Sequence, residues 1–328
     1  MKYIDQVYGE VEISEPVILE LINNPTLQRL KGVSQFGYLA LGSIWKKNLS
    51  RFGHSVGVYL LLKKYRATIE EQIAGLIHDV SHSAFSHCID YVLNEGSEKD
   101  QKHQDNIFID FVSKSGIPAI LLKYNIDLEY ILDDKNFPLK EKELPDLCAD
   151  RIDYSLRDAI GFDKIAKKEA GKFLESLTIE NNNWVFESFD IAKKYCEFFS
   201  MINLEYYCGF PTAVMFSTVG NYLKYALEKR YITEDDLYTT DRNVLAKIKP
   251  FIKVDKELKL LFEKMNHKIN ISESRNDYDV RIFCKSRAVD PLFKDGDGMK
   301  RVSEADKGWE SILEKELEPK EYFIKFNN

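Results

Sequence analysis

Five of the six histidines of this chain lie within one stretch of 50 residues, at His54, His78, His82, His87 and His103. An even distribution over the 328 residues would place about one histidine in such a window. Imidazole is a common ligand of borderline transition metals and a common acid or base near neutral pH. A fold that gathers these side chains must hold them against a cation or a substrate, so a metal-assisted hydrolytic site is the first hypothesis.

The alternative is that these histidines are core or capping residues bonded to backbone carbonyls. A single buried histidine is often of this kind. Five are harder to explain in that way, because apolar side chains pack a core more readily and clustered imidazoles are costly to bury without partners. Their number therefore favours a functional cluster.

Composition and charge limit the class of protein. Hydrophobic residues make up 44% of the chain and charged residues 30%, as in ordinary soluble globular proteins. The net charge of −7 comes from interspersed signs, which does not indicate nucleic-acid binding, although a local basic groove stays open. The apolar runs are far shorter than the roughly 20 residues of a bilayer span, so no membrane partner is expected. The five cysteines include no Cys-x-x-Cys pair, and we expect free thiols in a cytoplasmic protein.

The periodicity divides the chain into two parts. Residues 14–230 are mostly helical in pattern, whereas residues 278–284 and 321–326 alternate as strands do. We therefore predict a mainly α fold, with a helical domain in residues 1–235 and a small α+β region in residues 236–328. Predicted helices at 55–65 and 68–79 place His54 just ahead of the first and His78-Asp79 at the end of the second.

A metal site can be assembled from these positions. His78 and Asp79 are adjacent, so both can bind one ion only at a helix end or an irregular turn. His54 precedes them by 24 residues, and a later helix offers Asp150 and Asp153 as carboxylate donors. Two imidazoles and two carboxylates suit one divalent transition metal of the Mn, Fe, Co, Ni or Zn type and leave positions for water and a phosphate oxygen.

The residues after this pair extend the site. If residues 78–90 turn back over the metal, His82 and His87 face its open side and Asp90 can hold an imidazole. Such an arrangement supplies donors to phosphate oxygens and a protonated general acid for a leaving group.

The order His54, His78-Asp79, Asp150 resembles the H…HD…D signature of the HD superfamily of metal-dependent phosphohydrolases. The stretches SRFGHSVGV at 50–58 and GLIHDVSHSAFSH at 75–87 are similar to the HD-type deoxynucleoside triphosphate triphosphohydrolases, the branch with the vertebrate sterile-alpha-motif and HD-domain dNTPase. The stretch PTLQRLKGVSQFG at 25–37 resembles that family's segment leading to a sugar-contacting glutamine. The resemblance covers about residues 5–225. It implies an HD-domain helical core, a nucleotide substrate with accompanying Mg²⁺, an effector nucleotide and a homo-oligomer.

Position by position, the resemblance implies four metal ligands, which are His54, His78, Asp79 and Asp150. It implies a catalytic group in which Asp90 orients the catalytic histidine, with two further histidines beside the phosphate: His103, Asp90, His82 and His87. It also implies two arginines that bind phosphate and three residues that hold the sugar: Arg51, Arg151, Gln35, Tyr154 and Asp158. Surface ion pairing of Arg151 and Asp158, a core role for Tyr154 and turn capping by Gln35 are the alternatives.

One departure from the family concerns residues 199–212, which contain no Arg, Lys or His. The triphosphohydrolases place there the side chains that grip the triphosphate, whose charges need charge-assisted donors. Either the substrate has fewer phosphates, or another segment or subunit supplies the charge. Lys285 and Arg287 could bind an effector nucleotide or an acidic group of a partner subunit, or could face solvent on a strand. A second departure, Gly53 for a frequent Glu, is read as a packing difference.

The leading hypothesis is a metal-dependent phosphohydrolase that cleaves a nucleotide at the phosphorus nearest the sugar with a metal-activated water. Within this class a deoxynucleoside triphosphate triphosphohydrolase comes first, and a nucleotidase or phosphodiesterase on mono- or oligonucleotides second. A different class is a nucleotide-sensing or nucleic-acid-binding module without turnover. The complete set of ligands and acids argues against that class.

Overall fold

Helices form most of the chain. The computed structural model describes residues 1–38, 49–93 and 97–327. In these ranges the α-helices are α1 (Pro16–Asn23), α2 (Pro25–Arg29), α3 (Arg51–Lys64), α4 (Ile69–Ile77), α5 (His103–Ser113), α6 (Ile117–Lys123), α7 (Leu128–Leu132), α8 (Ala149–Gly161), α9 (Lys167–Glu175), α10 (Phe189–Ile202), α11 (Phe210–Glu228), α12 (Glu234–Leu237), α13 (Asp241–Ile248), α14 (Lys256–Met265), α15 (Val302–Ala305) and α16 (Lys307–Leu317). A π-helical turn, Asn203–Tyr207, joins α10 to the segment before α11.

The strands form three small sheets in the described ranges. They are β1 (Lys2–Asp5), β2 (Gly9–Glu12), β3 (Leu177–Glu180), β4 (Asn183–Phe186), β5 (Asn270–Glu273), β6 (Val280–Cys284), β7 (Leu292–Asp295), β8 (Gly298–Arg301) and β9 (Lys320–Asn327). The sheets have the orders β1-β2, β3-β4-β7-β8 and β5-β9-β6. All pairs are antiparallel except β4 and β7, which pair in parallel with Val185 opposite Leu292.

The predicted fold class is confirmed, since the chain is mainly α with a small C-terminal α+β part. Strands β6 and β9 lie where the alternation placed them. The sequence pattern missed the hairpins β1-β2 and β3-β4, because strands of four residues are too short for a periodicity signal. The boundary at residue 235 stays a prediction; the sheet β3-β4-β7-β8 takes strands from both sides of it.

Helix α3 is the central element of the core, and it packs against α4 and α8. It is buried at almost every position, as expected for a helix covered on all sides rather than one with a single apolar face. Its start corrects the prediction, because α3 begins at Arg51 and His54 lies within it, not ahead of it. Ser50 explains the earlier start: it is the N-cap residue, and its hydroxyl oxygen accepts the backbone N–H of Gly53.

Side chains of helix α8 lie directly against α3 at Gly57. One turn apart on α8, Asp153 and Arg157 form a buried ion pair, in which Arg157 Nε donates to Asp153 Oδ2 at 2.8 Å and Nη2 donates to Oδ1 at 2.9 Å. A Cβ on Gly57 would overlap both charged groups. Arg157 Nη1 also donates to Asp5 Oδ2 of β1 at 3.0 Å. The missing side chain at Gly57 therefore lets a charged pair lie against the backbone of α3.

The five cysteines are free and buried, as the sequence predicts. No helix in the described part of the chain is both long and apolar enough to cross a membrane.

We predict that Gly57→Ala lowers the free energy of unfolding by about 3 kcal/mol, because the added methyl group must push apart a buried ion pair. The matched control is Gly171→Ala on α9, where a Cβ meets nothing within 4 Å. That change should stabilise the protein by about 0.5 to 1 kcal/mol through the backbone entropy of glycine. Denaturant titration of both variants measures the difference, and equal stability of Gly57→Ala and the wild type would contradict the packing described here.

Candidate functional site

Three elements bring His54, His78 and Asp150 together. His54 lies in α3, His78 caps the C-terminus of α4, and Asp150 lies in the first turn of α8. His54 Nε2 is 3.2 Å from His78 Nε2 and 2.8 Å from Asp150 Oδ1, and His78 Nε2 is 3.3 Å from that same oxygen. These three residues form a group whose ligand atoms could hold one metal ion.

The protonation pattern of this group fits a cation. His54 Nδ1 donates to Asp153 Oδ2 at 2.8 Å and His78 Nδ1 donates to the carbonyl oxygen of Gly75 at 2.8 Å. Both Nε2 lone pairs therefore point at one carboxylate oxygen, which is unfavourable unless a proton or a metal ion lies among them. Burial alone would lower the pKa of His54, but the hydrogen bonds to Asp150 and Asp153 raise it to about 10. Ligand atoms about 2.0 to 2.2 Å from a common ion have separations of this size, so the residues fit one divalent transition metal.

Asp79 lies beside the three ligands and is shared with Arg51. Its Oδ1 is 3.4 Å from His78 Nε2, and its Oδ2 is 3.7 Å from His54 Nε2. Arg51 Nη1 donates to Oδ2 at 2.7 Å. Burial would raise the pKa of Asp79, but Arg51 and the nearby imidazoles hold it well below its usual value. An ionised carboxylate therefore faces the cluster, and its role as the fourth ligand stays a prediction.

Asp153 is close to the cluster but on its far side. The sequence offered Asp153 as a possible metal ligand. Both of its carboxylate oxygens, however, accept hydrogen bonds from His54, Arg157 and Tyr8, whose hydroxyl donates to Oδ1 at 2.9 Å. Burial would raise the pKa of Asp153, but Arg157 and the bond from His54 lower it. Asp153 thus fixes the tautomer and orientation of a ligand, as carboxylates behind metal-binding histidines do.

The cluster opens into one cavity of about 910 Å³. Ten of the thirteen predicted site residues line it: Gln35, Arg51, His78, Asp79, His82, His87, Asp150, Arg151, Tyr154 and Asp158. The other three, His54, Asp90 and His103, are buried behind its wall. The structure therefore brings ten of the predicted residues to one cavity and places three behind them, while the roles of all thirteen stay predictions.

The predicted catalytic group is arranged differently from the expectation. Asp90 was expected to orient His103, but its Oδ2 accepts from His87 Nδ1 at 3.2 Å, and its Oδ1 accepts the backbone N–H of His103 at 3.0 Å. Asp90 therefore orients the ring of His87 and fixes His103 through its main chain, because His103 is the first residue of α5. The His103 ring meets the hydroxyl of Tyr238, with Nε2 and the oxygen 3.0 Å apart.

His82 also lines the cavity, next to Asp79 and His87. Its Nε2 is 3.2 Å from Asp79 Oδ1, and its ring centroid is 5.1 Å from that of His87. Burial first, and then the charge of Arg51, lower the pKa of His82 to about 3. Burial also lowers the pKa of His87. Both rings are therefore neutral near pH 7 before a ligand binds. Each gives its one N–H to an aspartate, so its other nitrogen can only accept a hydrogen bond until the ring is protonated.

The expected sugar-binding residues gather at another part of the cavity. Tyr207 donates to Asp158 Oδ2 at 2.9 Å, and its ring lies 5.4 Å from that of Tyr154, between centroids. Burial raises the pKa of Asp158 to about 7. Asp158 Oδ1 and Gln35 Oε1 are buried and have no hydrogen-bond partner in the described part of the chain. Two acceptors thus remain for hydroxyl groups of a ligand.

Arg151 and Asp158 are not a surface ion pair, since both are buried. Two nitrogens of Arg151 donate to backbone carbonyls, Nη1 to Asp146 at 2.5 Å and Nη2 to Lys142 at 3.2 Å. Its Nε has no partner among the described residues. A phosphate contact by Arg151 therefore stays a prediction, and Nε is the nitrogen that would donate the hydrogen bond.

Sequence reasoning missed several cavity residues. Residues 199–212 supply Tyr206, Tyr207 and Thr212 to the cavity. This segment contains no cation, but three cations from elsewhere in the chain line the same cavity: Lys102, Lys285 and Arg287. The sequence offered Lys285 and Arg287 as binders of an effector nucleotide or of a partner's acidic group, or as a solvated strand face. In the structure β6 ends at Cys284, and both residues line the cavity. No local pattern signals this, because the contact joins residues far apart in sequence.

Comparison with known proteins agrees with this geometry. Residues 51–158 match the HD domain family. The Bacillus subtilis protein YdhJ is 35% identical over 309 residues, which cover 94% of this chain and 93% of YdhJ. The metal-dependent phosphohydrolase cns2 of Cordyceps militaris is 38% identical over 175 residues, 53% of this chain and 49% of cns2.

A third relative matches a shorter part of the chain. The deoxynucleoside triphosphate triphosphohydrolase SAMHD1 of Mus musculus is 30% identical over 145 residues, which are 37% of this chain and 21% of SAMHD1. The matched part is therefore a fraction of that protein. Taken with the cluster of His54, His78 and Asp150, these matches show that the chain belongs to the HD-domain family of metal-dependent phosphohydrolases.

Proposed function

We propose that this chain is a deoxynucleoside triphosphate triphosphohydrolase, which uses water to break the bond between the α-phosphorus and the 5′ oxygen of the sugar. The products are a deoxynucleoside and triphosphate. One observation carries the proposal. A single cavity joins the metal-binding cluster to a group of tyrosines and buried oxygen atoms, and these oxygens can accept hydrogen bonds from the hydroxyl groups of a ligand. The similarity of part of the chain to SAMHD1 supports the same substrate class.

His54, His78, Asp150 and the neighbouring Asp79 would hold one divalent ion. When bound, such an ion lowers the pKa of water and polarises a phosphoryl oxygen. Extra Mg²⁺ bound by the nucleotide phosphates is part of the same proposal, as are a homo-oligomer, an effector nucleotide and a cytoplasmic location.

The chain itself supplies charge and orientation around the reacting phosphate. Arg51 neutralises Asp79 and has Nε bonded to Ser86 Oγ at 3.0 Å, so its guanidinium is fixed at the cavity wall. A phosphate oxygen placed there gains a charge-assisted hydrogen bond without moving the arginine. Gln35 and Asp158 offer acceptors to the 3′ hydroxyl of a sugar, and the rings of Tyr154 and Tyr207 bound the space around it.

His87 is the side chain that we assign as proton donor to the leaving oxygen. It lines the cavity, and Asp90 holds its Nδ1, which leaves Nε2 for the substrate. The negative charge of an arriving phosphate favours the protonated ring, against the effect of burial. His103 lies behind the wall, so we assign it the positioning of Asp90 through its backbone N–H.

The products decide between this function and its alternatives. Metal-loaded protein should convert a deoxynucleoside triphosphate to deoxynucleoside and triphosphate, separated by ion-exchange chromatography. Release of orthophosphate or of a nucleoside monophosphate would instead indicate a nucleotidase or phosphodiesterase, and no turnover of any nucleotide would indicate a binding module.

We predict that Asp150→Ala loses metal and activity together, because it removes the oxygen shared by both imidazoles. Asp110→Ala is the matched control, since Asp110 is an exposed carboxylate on α5 that pairs with Lys114. Elemental analysis and turnover are measured on both variants. A full metal complement in Asp150→Ala would reject Asp150 as a ligand.

The proton donor is tested by the leaving group. His87→Asn should lower turnover of the nucleotide by about 10² to 10⁴-fold while keeping the metal, because a sugar alkoxide needs a proton to depart. Hydrolysis of bis(p-nitrophenyl) phosphate, whose leaving group needs no proton, should fall much less. His267→Asn, at the exposed sixth histidine, is the control. If His103→Asn and not His87→Asn shows this selective loss, the assignment is wrong.

A further inference from the structure

Lys285 and Arg287 bring positive charge from the C-terminal region into the cavity. They follow β6 and line the same space as His78, Asp79 and Asp150. Both residues are half-buried, and exposed Lys102 lines the cavity with them. Two segments of one chain therefore place these cations in the cavity that also contains the metal-binding cluster.

The position of Arg287 is fixed by neutral partners. Its backbone N–H donates to Asn203 Oδ1 at 2.9 Å, and its Nη2 donates to Gln101 Oε1 at 2.9 Å. Asn203 Nδ2 in turn donates to Ser286 Oγ at 3.0 Å. Asn203 opens the π-helical turn after α10, a type of irregularity that is frequent at functional sites. These contacts hold the segment in the cavity without neutralising its charge.

Among the described residues, these side chains form no close ion pair, and the nearby carboxylate of Asp105 acts on the pKa of Lys285 without contacting it. In the described part of the chain, no carboxylate oxygen lies within 4.0 Å of the charged groups of Lys102, Lys285 or Arg287, whereas Arg51 is paired with Asp79. Burial and then the charge of Arg287 lower the pKa of Lys285 to about 8, against the opposing effect of Asp105. Cations held together at such a cost are stabilised when an anion binds between them.

Arg287 lines the cavity together with His87, the histidine assigned to the leaving group. Its Cζ lies 6.0 Å from the ring centroid of Tyr207. Burial lowers the pKa of His87 most, and the charges of Arg51 and then Arg287 lower it further, against the hydrogen bond to Asp90. Arg287 and Lys285 therefore lie in the cavity that would hold a phosphate chain bound at the metal.

We propose that Lys285 and Arg287, with Lys102, bind the phosphates of the substrate beyond the one at the metal, so that the C-terminal segment selects polyphosphorylated nucleotides. This inference rests on the proposed function. The positive charge that residues 199–212 lack would then come from another segment of the same subunit. Each lost charge-assisted contact at a partly exposed site should weaken binding on the order of tenfold.

The test compares binding of inorganic tripolyphosphate and orthophosphate to the metal-loaded full chain by calorimetry. The wild type should prefer tripolyphosphate, and Lys285→Ala with Arg287→Ala should reduce that preference on the order of 100-fold. Lys285→Arg should retain it, because the charge is kept. Lys300→Ala is the control, since Lys300 is an exposed lysine on β8 paired with Asp295. Melting temperature and metal content show that each variant is folded.

An unchanged preference in the double variant overturns the proposal, as does equal binding of both anions by the wild type. If the double variant keeps the preference but loses activation by a second nucleotide, the two residues belong to an effector site and the proposal also fails. The proposed function fails separately if no nucleotide is hydrolysed while tripolyphosphate binding depends on Lys285 and Arg287 as expected. In that case the anion site stands, and its physiological ligand is another polyphosphate.

Discussion

The buried carboxylate of Asp153 is the group on which the site depends most. It accepts hydrogen bonds from His54, Arg157 and Tyr8 at once, and so it links a predicted metal ligand on α3 to helix α8 and to the N-terminal hairpin. A buried carboxylate without such partners would be costly, and a buried Arg157 without Asp153 equally so. Because the three partners must all be present, the fold has one way to orient His54, with Nε2 toward His78 and Asp150.

Several charged groups around this cluster are paired with, or oriented by, a neighbouring side chain. Arg51 offsets Asp79, a divalent ion would offset Asp150 and Asp79 further, and Asp90 orients His87 without exposing itself. Lys285 and Arg287 also line the cavity and form no ion pair in the described part of the chain. The cavity therefore contains both a cluster that could hold a cation and side chains that attract an anion, as the binding of a nucleotide's phosphates beside a metal ion requires.

The sequence predicted what local patterns encode. The histidines and aspartates chosen by their spacing include the three residues that the structure brings together, and helical periodicity placed α4 so that His78 falls at its end. It failed where function depends on packing between distant segments. The bond from Asp90 to His87, the contact of His103 with Tyr238 and the entry of Lys285 into the cavity join elements that share no periodicity. The sequence offered both Asp150 and Asp153 as carboxylate donors, and only the contacts of Asp153 with His54 Nδ1 and Arg157 show that it lies behind the ring of His54.

The central claim is that His54, His78 and Asp150 hold one catalytic metal ion, and anomalous diffraction from crystals grown with Mn²⁺ tests it most directly. The account predicts a single strong peak about 2.0 to 2.3 Å from His54 Nε2, His78 Nε2 and Asp150 Oδ1, opening toward His87. A peak held instead by Glu141 and Cys148, which form the other possible ligand group with Asp150 in the described chain, would contradict it. So would crystals of metal-loaded, active protein with no peak at the three ligands.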